Sequence, residues 1–340
     1  MASETASQPS GYYTSYTEDQ IRQYLDRVEF PVDHDHPGAS LLVPQKQQYD
    51  FLVKLIRRQI CSVPFENLGL HYSYRREISL DPSQLFHKIV VQRRGGYCLE
   101  VNTFFALVLR GLGYEVISVG GRVSNQIKPD NKDTHVEYGG WTHMVNIVTV
   151  EGQRYAVDCA FGNNGPTRPV PLRDGFTCRN TGHGDGNSEM LLRHESILGG
   201  SSTSGQLLWV YYVRFRSSMQ WIPAYCFGEV EFLPNDFSVM NYYISKSPES
   251  WFTRILVCMR FLEEPNTTTA TTGPVDTDRV IVGDVTLRDD TVKERKHGRS
   301  RIIARFYGEA DRIAALQRYF GIELDAAESE SITGTLSQLR

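Results

Sequence analysis

Apolar residues recur at helical spacing through the first third of the chain. Thr17 and Gln20 have the form of a capping box, which is typical of a helix N-terminus, and apolar positions follow at the spacing of one helix face. The same spacing predicts a second helix over residues 42–60, and Pro82 is well placed to open a third. A fourth helix is predicted over residues 99–112, which are mostly apolar. This part of the chain therefore predicts a bundle of helices.

From about residue 114 the pattern changes to that of strands, with β-branched and aromatic residues in short runs. Sequential strands joined by short turns predict an antiparallel sheet or a small barrel. A further unit begins near Pro234 and includes a polar, threonine-rich insertion. We therefore predict an α+β fold of three units, residues 1–113, 114–233 and 234–340, with a flexible insertion near 264–278. The predicted strands cover residues 114–119, 141–150, 154–161, 207–215, 229–232, 251–260 and 280–287, and the predicted last helix covers 309–320.

Composition and charge narrow the class of protein. The 340 residues carry a net charge of −4, which gives no reason to expect a nucleic acid or an anionic membrane as partner. No stretch approaches the roughly 20 apolar residues that span a bilayer, and the polar start has no pattern of a secretory signal. The six cysteines are dispersed without a CxxC pair, which fits a reducing compartment and gives no sign of a metal site. We expect a cytoplasmic monomer.

One cysteine, Cys98, stands out by its position. It follows a turn that contains Gly95 and Gly96, and it opens the fourth predicted helix. A thiol at a helix N-terminus faces unpaired N–H groups and the positive end of the helix dipole, and both favour the thiolate, which is the nucleophile. Arg93 and Arg94 add positive charge nearby. We therefore predict that Cys98 is an activated nucleophile.

A nucleophilic cysteine needs a base, and the base needs a group that orients it. His143 lies in a strand-like run, and Asp158 lies in the next one. If Val150 pairs with Gln153 across the intervening turn, His143 and Asp158 fall on one face of a hairpin, whereas a slip of one residue would separate them. A buried aspartate is costly unless it is paired, and a neighbouring imidazole would remove that cost. The alternative is a structural thiol, a core histidine and a turn aspartate, and the spacing alone favours neither.

Four segments along the chain have distinctive sequences: VPFENL (63–68), RGGYCLEVN (94–102), THMV (142–145) and VDCAFG (157–162). They closely resemble segments of the arylamine N-acetyltransferase family and occur in the family's order. Residues 241–253 and 320–322 are also similar to the beginning of the family's last domain and to its closing helix. The resemblance implies a helical bundle, an antiparallel β-barrel and an α/β lid, with a catalytic core like that of cysteine proteases.

The resemblance also implies an activity. Cys98, His143 and Asp158 would be nucleophile, base and orienting carboxylate in a ping-pong reaction that serves xenobiotic detoxification. An acyl-CoA would acylate the cysteine, and a small aromatic amine, hydrazine or hydroxylamine would then take the acyl group. Acyl-CoA would be a co-substrate, so no tightly bound cofactor is implied. The resemblance assigns acceptor binding to Phe65, Val123, Thr142 and Phe161, and CoA binding to Gly139, Gly140, Ser245 and Ser247.

The acyl group and two alternative functions stay open. Polar insertions at 124–140 and 264–278 resemble eukaryotic, especially fungal, members, some of which prefer malonyl-CoA to acetyl-CoA. A malonyl donor would need a cation near the acyl site, and Lys246 or an arginine is a candidate that the sequence does not place. A papain- or transglutaminase-like thiol hydrolase has the same order of cysteine, histidine and aspartate or asparagine. A non-catalytic homologue that binds acyl-CoA or an amine is the other alternative.

Overall fold

A computed structural model describes residues 14–31, 41–127, 135–181, 188–197, 205–265 and 279–339. The insertion predicted near 264–278 lies outside these residues from 266 onward, and so do residues 128–134 of the insertion predicted at 124–140. In the described part of the chain, no helix combines the length and the apolar character that crossing a bilayer requires.

Four helices form the first part of the fold, as the periodicity predicts. Thr17 caps the first helix through the predicted capping box. The second helix starts three residues later than predicted, because Pro44 holds extended backbone at its N-terminus. Eleven of the fourteen residues of the fourth helix are buried, which explains why its sequence is mostly apolar. The elements are α1 (Glu18–Arg27), α2 (Gln45–Ser62), a short strand β1 (Phe65–Glu66), α3 (Pro82–Phe86), which continues as a π-helical turn, and α4 (Cys98–Gly111).

An eight-stranded antiparallel sheet follows, and it confirms the predicted antiparallel sheet or barrel. Its strand order is β5-β4-β3-β2-β9-β8-β7-β6. The two edges approach each other, because Thr167 beside one edge hydrogen-bonds to Asn180 beside the other, so the barrel is nearly closed. The strands are β2 (Glu115–Ser124), β3 (Tyr138–Val150), β4 (Gln153–Val157), β5 (Val170–Pro171), β6 (Phe176–Arg179), β7 (Glu189–Glu195), β8 (Leu208–Arg214) and β9 (Ile222–Glu231).

The last part of the described chain adds three helices and four strands. The strands continue from β1 in the order β1-β10-β11-β12-β13, so a segment from the first part of the chain supplies an edge of this second sheet. Where the three predicted units begin and end along the chain stays a prediction. The elements are α5 (Pro234–Lys246), β10 (Val257–Pro265), β11 (Arg279–Arg288), β12 (Thr291–Lys296), β13 (Arg299–Arg305), α6 (Glu309–Phe320) and α7 (Ala326–Glu330).

Several predicted strands have different bounds from those expected. The strand predicted over 229–232 already begins at Ile222, and the strand predicted over 114–119 extends to Ser124. The strand predicted over 154–161 ends at Val157, because the chain turns at Asp158 to pair its carboxylate. The strand predicted over 251–260 was wrong at its start: Trp251–Thr253 is a 3₁₀ turn, whose aromatic residues pack on one another, and the strand begins at Val257. Helix α5 was not predicted, because apolar residues occupy both its buried and its exposed faces.

Candidate active site

Cys98 is the first residue of α4, and its side chain is buried. The turn before it requires glycine, because a Cβ on Gly95 would lie 1.8 Å from the main-chain oxygen of Pro64. The Glu100 carboxylate accepts a hydrogen bond of 3.1 Å from the N–H of Tyr97, which caps the helix. These contacts fix the point at the start of α4 from which the Cys98 side chain projects.

His143 and Asp158 lie side by side because the register of the β3–β4 hairpin places them on the same face. β3 and β4 pair Val150 with Gln153, which confirms the register on which the sequence argument depended. His143 Nε2 lies 2.7 Å from Asp158 Oδ2, and both residues are buried. The hydrogen bond to Nε2 leaves Nδ1 as the ring nitrogen available to the thiol. The sequence prediction of a histidine–aspartate pair is therefore realised in the geometry.

Asn102 links the nucleophile helix to this pair. It lies one turn after Cys98 on α4, and its Nδ2 donates hydrogen bonds to Asp158 Oδ1 at 2.9 Å and to the main-chain oxygen of Met144 at 2.7 Å. Its Oδ1 accepts from the N–H of Cys159 at 3.0 Å. One amide side chain thus connects α4, β3 and the turn after β4, so that the three candidate residues share one rigid frame.

The surroundings of the pair favour a protonated, positive imidazole at His143 and a negative carboxylate at Asp158. Burial alone would lower the pKa of His143, but the Asp158 carboxylate and hydrogen bonds to Asp158 and Cys98 outweigh it and raise the pKa to about 10. Burial alone would raise the pKa of Asp158, but His143, Asn102 and the N–H of Ala160 hold it below its usual value. The Cys98 Sγ also lies 3.7 Å from the main-chain oxygen of Thr142. An imidazolium next to a thiol is the arrangement that stabilises a thiolate.

Arg94, by contrast, faces carboxylates. Its Nη1 lies 2.9 Å from Glu328 Oε1 on α7, and its Nε lies 3.6 Å from Glu66 Oε1. Lys88 bridges Glu66 and Glu100 at 3.5 and 2.7 Å. Burial alone would raise the pKa of Glu66, but Lys88 and Arg94 hold it below its usual value. The positive charge that the sequence assigned to the thiol is therefore balanced by carboxylates, and this network supports the turn before the helix.

Phe161 borders the triad, whereas Phe65 borders the turn that follows Phe161. The ring centroids of Phe161 and His143 lie 5.0 Å apart. A Cβ on Gly162 would lie 3.7 Å from the ring of Phe65, so Phe65 lies against this turn. Both rings are half-buried. The half-open aromatic ring of Phe161 therefore lies next to the imidazole.

The other two predicted acceptor residues lie on β2 and β3. Val123 pairs across the sheet with Tyr225, whose ring lies 4.8 Å from that of His143 and 4.6 Å from that of Phe161. Thr142 reaches the thiol through its main-chain oxygen, while its hydroxyl bonds to Gly140. Thr142 and Phe161 thus contact triad residues, whereas Val123 is linked to them through Tyr225. The roles of the four predicted acceptor residues in binding stay predictions.

The predicted CoA-binding residues divide into two groups. Gly139 accepts a hydrogen bond from Arg122, and nothing lies within 4 Å of a Cβ on Gly140, so this strand leaves open space beside the site. The Ser245 hydroxyl is buried and donates to the main-chain oxygen of residue 241 at 2.7 Å, and Ser247 Oγ accepts from the N–H of residue 249. Both hydroxyls are therefore engaged by main-chain groups, and a CoA-binding role for either serine stays a prediction.

Sequence reasoning missed three residues of the site. Asn102 could have been found, because it lies four residues after Cys98 and so shares its face of the helix. Tyr225 lies far away in sequence, and burial and the nearby Asp158 raise its pKa well above its usual value. Phe252 stacks on Tyr97 with centroids 5.4 Å apart, and only the tertiary structure brings these rings together.

Comparison of the sequence and the fold with known proteins places the chain in a family. The sequence matches the N-acetyltransferase family over residues 49–329. It is 34% identical to the N-malonyltransferase FDB2 of Gibberella moniliformis, over 93% of this chain and 92% of that protein. The arylamine N-acetyltransferase of Nocardia farcinica has a similar structure, with a TM-score of 0.71, 25% identity and coverage of 97% and 99%. The arylamine N-acetyltransferase of Mycobacterium marinum in complex with CoA has a TM-score of 0.66 at 23% identity, with coverage of 93% and 99%.

The fold, the thiol–imidazole–carboxylate arrangement and these matches define an acyltransferase. The chain belongs to the arylamine N-acetyltransferase family, as the sequence motifs predict. The α+β fold of that family is confirmed, with helices ahead of a nearly closed antiparallel barrel. The alternative of a papain- or transglutaminase-like hydrolase finds no support, because the matched proteins named above are acyltransferases.

Proposed function

We propose that this protein is an arylamine N-acyltransferase that carries the acyl group on Cys98 between acyl-CoA and an aromatic amine. The observation that carries the proposal is the hydrogen-bonded pair of His143 and Asp158 beside a cysteine at a helix N-terminus. The raised pKa of His143 supports a resting thiolate and imidazolium. Relatives named as transferases of this kind support the acyl donor and acceptor classes.

The proposed first half-reaction acylates the enzyme. The Cys98 thiolate attacks the thioester carbonyl of acyl-CoA, and a new carbon–sulfur bond forms as the bond to CoA breaks. The imidazolium of His143 gives its proton to the departing CoA sulfur. One thioester replaces another, so this step has little net free-energy cost. Asp158 keeps the imidazole in the orientation that both steps use.

The proposed second half-reaction transfers the acyl group to nitrogen. The amine attacks the Cys98 thioester, neutral His143 accepts a proton from the attacking nitrogen, and the cysteine leaves as the thiolate. The product is an amide, and the imidazolium–thiolate pair is restored. Thr142 and Phe161 contact the triad, and Phe161 supplies an aromatic face beside His143. We assign Phe65, Val123, Thr142 and Phe161 to the acceptor, because flat aromatic amines suit a slot lined by aromatic rings.

We further propose that malonyl-CoA is the preferred donor. The fungal relative that is 34% identical over nearly the whole chain is named as an N-malonyltransferase. The Lys246 ammonium, a candidate partner for the malonyl carboxylate, donates to the main-chain oxygen of residue 76 at the surface. Arg122 lies closer to the strand that carries Thr142, since its guanidinium bonds to Gly139 and covers the ring of Trp141. Arg122 is therefore the better candidate for that carboxylate.

A mass measurement tests the acyl carrier. Incubation with acyl-CoA alone should add the mass of one acyl group to the peptide that contains Cys98. Cys98→Ser should abolish the adduct, whereas Cys178→Ser, which changes a half-buried thiol outside the site, should retain it. An adduct that persists in Cys98→Ser would refute the assignment. Peptide cleavage without any adduct would favour a thiol hydrolase instead.

A donor series tests the acyl group. We expect kcat/KM with a simple aromatic amine to be highest for malonyl-CoA among acetyl-, propionyl- and malonyl-CoA. Arg122→Ala should lower kcat/KM for malonyl-CoA and leave acetyl-CoA unchanged. Equal or lower activity of the wild type with malonyl-CoA would contradict the donor assignment and leave the acyltransferase reaction standing.

We also propose a cytoplasmic monomer that takes part in xenobiotic detoxification. All six cysteines are free thiols, which suits a reducing compartment. Light scattering after size-exclusion chromatography should give the mass of one chain, 38.7 kDa. A mass of twice that value would contradict the monomer.

A further inference from the structure

Strands of the second sheet contact the turn that follows the triad aspartate, and Arg295 on β12 makes the charged contact with it. Arg295 on β12 donates from Nε to Asp284 Oδ2 at 2.6 Å and from Nη2 to the main-chain oxygen of Asn163 at 2.7 Å. The Asn163 amide also approaches Asp284 Oδ1 at 3.4 Å. The guanidinium carbon lies 5.3 Å from the ring centroid of Phe215, just beyond the end of β8. We call Asp284, Arg295 and Asn163 the sheet–turn clamp.

The carboxylate at the centre of the sheet–turn clamp is buried and fully hydrogen-bonded. Asp284 is 2% exposed, and its oxygens are engaged by Arg295, Asn163 and the hydroxyl of Thr286. A buried carboxylate is tolerated when a charged partner and hydrogen bonds compensate its desolvation. The planar guanidinium holds two acceptors at fixed geometry, which an ammonium cannot reproduce. The clamp therefore defines where the main-chain oxygen of residue 163 lies.

The clamped turn carries one wall of the proposed acceptor slot. Gly162 has a φ of +72° and directly follows Phe161, so the turn has little freedom once residue 163 is held. Phe161 presents its ring to His143, and Gly162 lies against the ring of Phe65. A shift of residue 163 would therefore move the aromatic wall of the slot.

The triad itself is fixed by different contacts. Asp158 is held by Asn102 and by the N–H of Ala160, and neither residue belongs to the clamp. Cys98 is held by the turn before α4. Loosening the clamp should therefore leave acylation of the cysteine intact while it disturbs the aromatic wall.

We propose that Arg295, held by Asp284, is a positioning residue that sets the acceptor specificity of the enzyme by clamping the turn behind Phe161. The proposal rests on the proposed acyl transfer from Cys98 to an aromatic amine. It assigns to Arg295 and Asp284 a role in choosing the amine and none in forming the acyl-enzyme.

The test separates the two half-reactions. The variants are Arg295→Lys, which keeps the charge and loses the planar fork, and the double variant Asp284→Asn with Arg295→Gln, which leaves no unpaired buried charge. Arg301→Ala is the matched control, because Arg301 also forms a cross-strand ion pair in the second sheet, with Glu294, but is exposed. The readouts are the single-turnover rate of acyl-enzyme formation and the KM for each of two amines, one with a single ring and one with two fused rings.

We expect acyl-enzyme formation at the wild-type rate in all three proteins. In both clamp variants, KM for the single-ring amine should rise about tenfold. A tenfold change in an equilibrium constant corresponds to about 1.4 kcal/mol. This is close to the free energy that a hydrogen bond to a charged group contributes. The ratio of kcat/KM between the two amines should also change, because a looser wall admits the wider amine. Arg301→Ala should match the wild type in every readout.

Two outcomes would overturn the inference. One is a folded clamp variant, judged by its melting temperature, in which KM and the amine ratio are unchanged. The other is equal slowing of acylation and transfer with an unchanged ratio, which would indicate only a general structural role. Failure of the wild type to form the acyl-enzyme would instead refute the proposed function, so the two failures are distinguishable.

Discussion

Replacing Asp158 by asparagine tests the electrostatic origin of the reactive thiolate. The rise in the pKa of His143 from 6.5 to about 10 corresponds to a preference for the imidazolium of about 5 kcal/mol, because one pKa unit is about 1.4 kcal/mol. Asp158 is the main source of this preference, and burial opposes it. In Asp158→Asn, burial and the effect of Cys98 remain and the carboxylate is lost, so the pKa of His143 should fall well below its wild-type value.

The expected result is a large loss of thiolate without a loss of fold. An asparagine oxygen still accepts hydrogen bonds from Asn102 and from the N–H of Ala160, so the turn after β4 should persist. Alkylation of Cys98 by iodoacetamide at pH 7 should be fast in the wild type, since an imidazolium next to a thiol stabilises the thiolate. In Asp158→Asn the rate at pH 7 should be much lower. Turnover should fall by up to about 10³-fold, which is the rate effect of about 4 kcal/mol.

The assay is peptide mapping by mass spectrometry after timed alkylation at pH 7, with circular dichroism to confirm the fold. Asp174→Asn is the matched control, because it also changes an aspartate that accepts a main-chain hydrogen bond but is exposed. It should keep the wild-type rate. A folded Asp158→Asn protein that is alkylated at the wild-type rate would refute the reasoning.

The remaining predictions concern the support of the site. Glu328→Gln should lower the free energy of unfolding by about 1–3 kcal/mol, because it weakens the ion pair to the buried guanidinium before the nucleophile; an unchanged urea midpoint would contradict this. Gly95→Ala should abolish soluble folded protein or acylation, whereas Gly308→Ala, where nothing lies within 4 Å of the added Cβ, should retain both, and mass spectrometry of the acyl-enzyme distinguishes them. His71 is buried, and burial is the main cause that lowers its pKa from 6.5 to about 4. The unfolded chain therefore takes up this proton first as pH falls, so stability should drop by about 3 kcal/mol from pH 7 to about pH 4, and His71→Gln should lack this slope in urea unfolding.

The candidate triad could be predicted from sequence to an unusual degree because its elements are local. α4 begins at Cys98 as its glycine turn and apolar run indicate. The hairpin register follows from Glu151 and Gly152, whose positive φ values of 51° and 78° suit a tight two-residue turn between paired strands. Once this turn is fixed, the alternation of side chains places His143 and Asp158 on one face.

Local signals failed where packing decided the conformation. Helix α5 has apolar residues such as Val239 and Tyr242 on its exposed face, so its sequence shows no clear helical stripe. The run around Trp251 has the aromatic content of a strand, but ring packing holds it in a 3₁₀ turn. The contribution of β1 to the second sheet was also invisible, because its partner β10 lies almost 200 residues away.

By itself the sequence determined where the nucleophile helix starts and how the hairpin pairs, because both depend on neighbouring residues, and from these it predicted Cys98, His143 and Asp158 as the candidate triad. Only the tertiary structure decided that Arg94 faces Glu328 rather than the thiol, since these residues are 234 positions apart. The same holds for Arg295 and the turn at Asn163, which are 132 positions apart. Charge pairs of this kind form when packing buries their members, and a buried charge takes whichever partner the fold brings within reach.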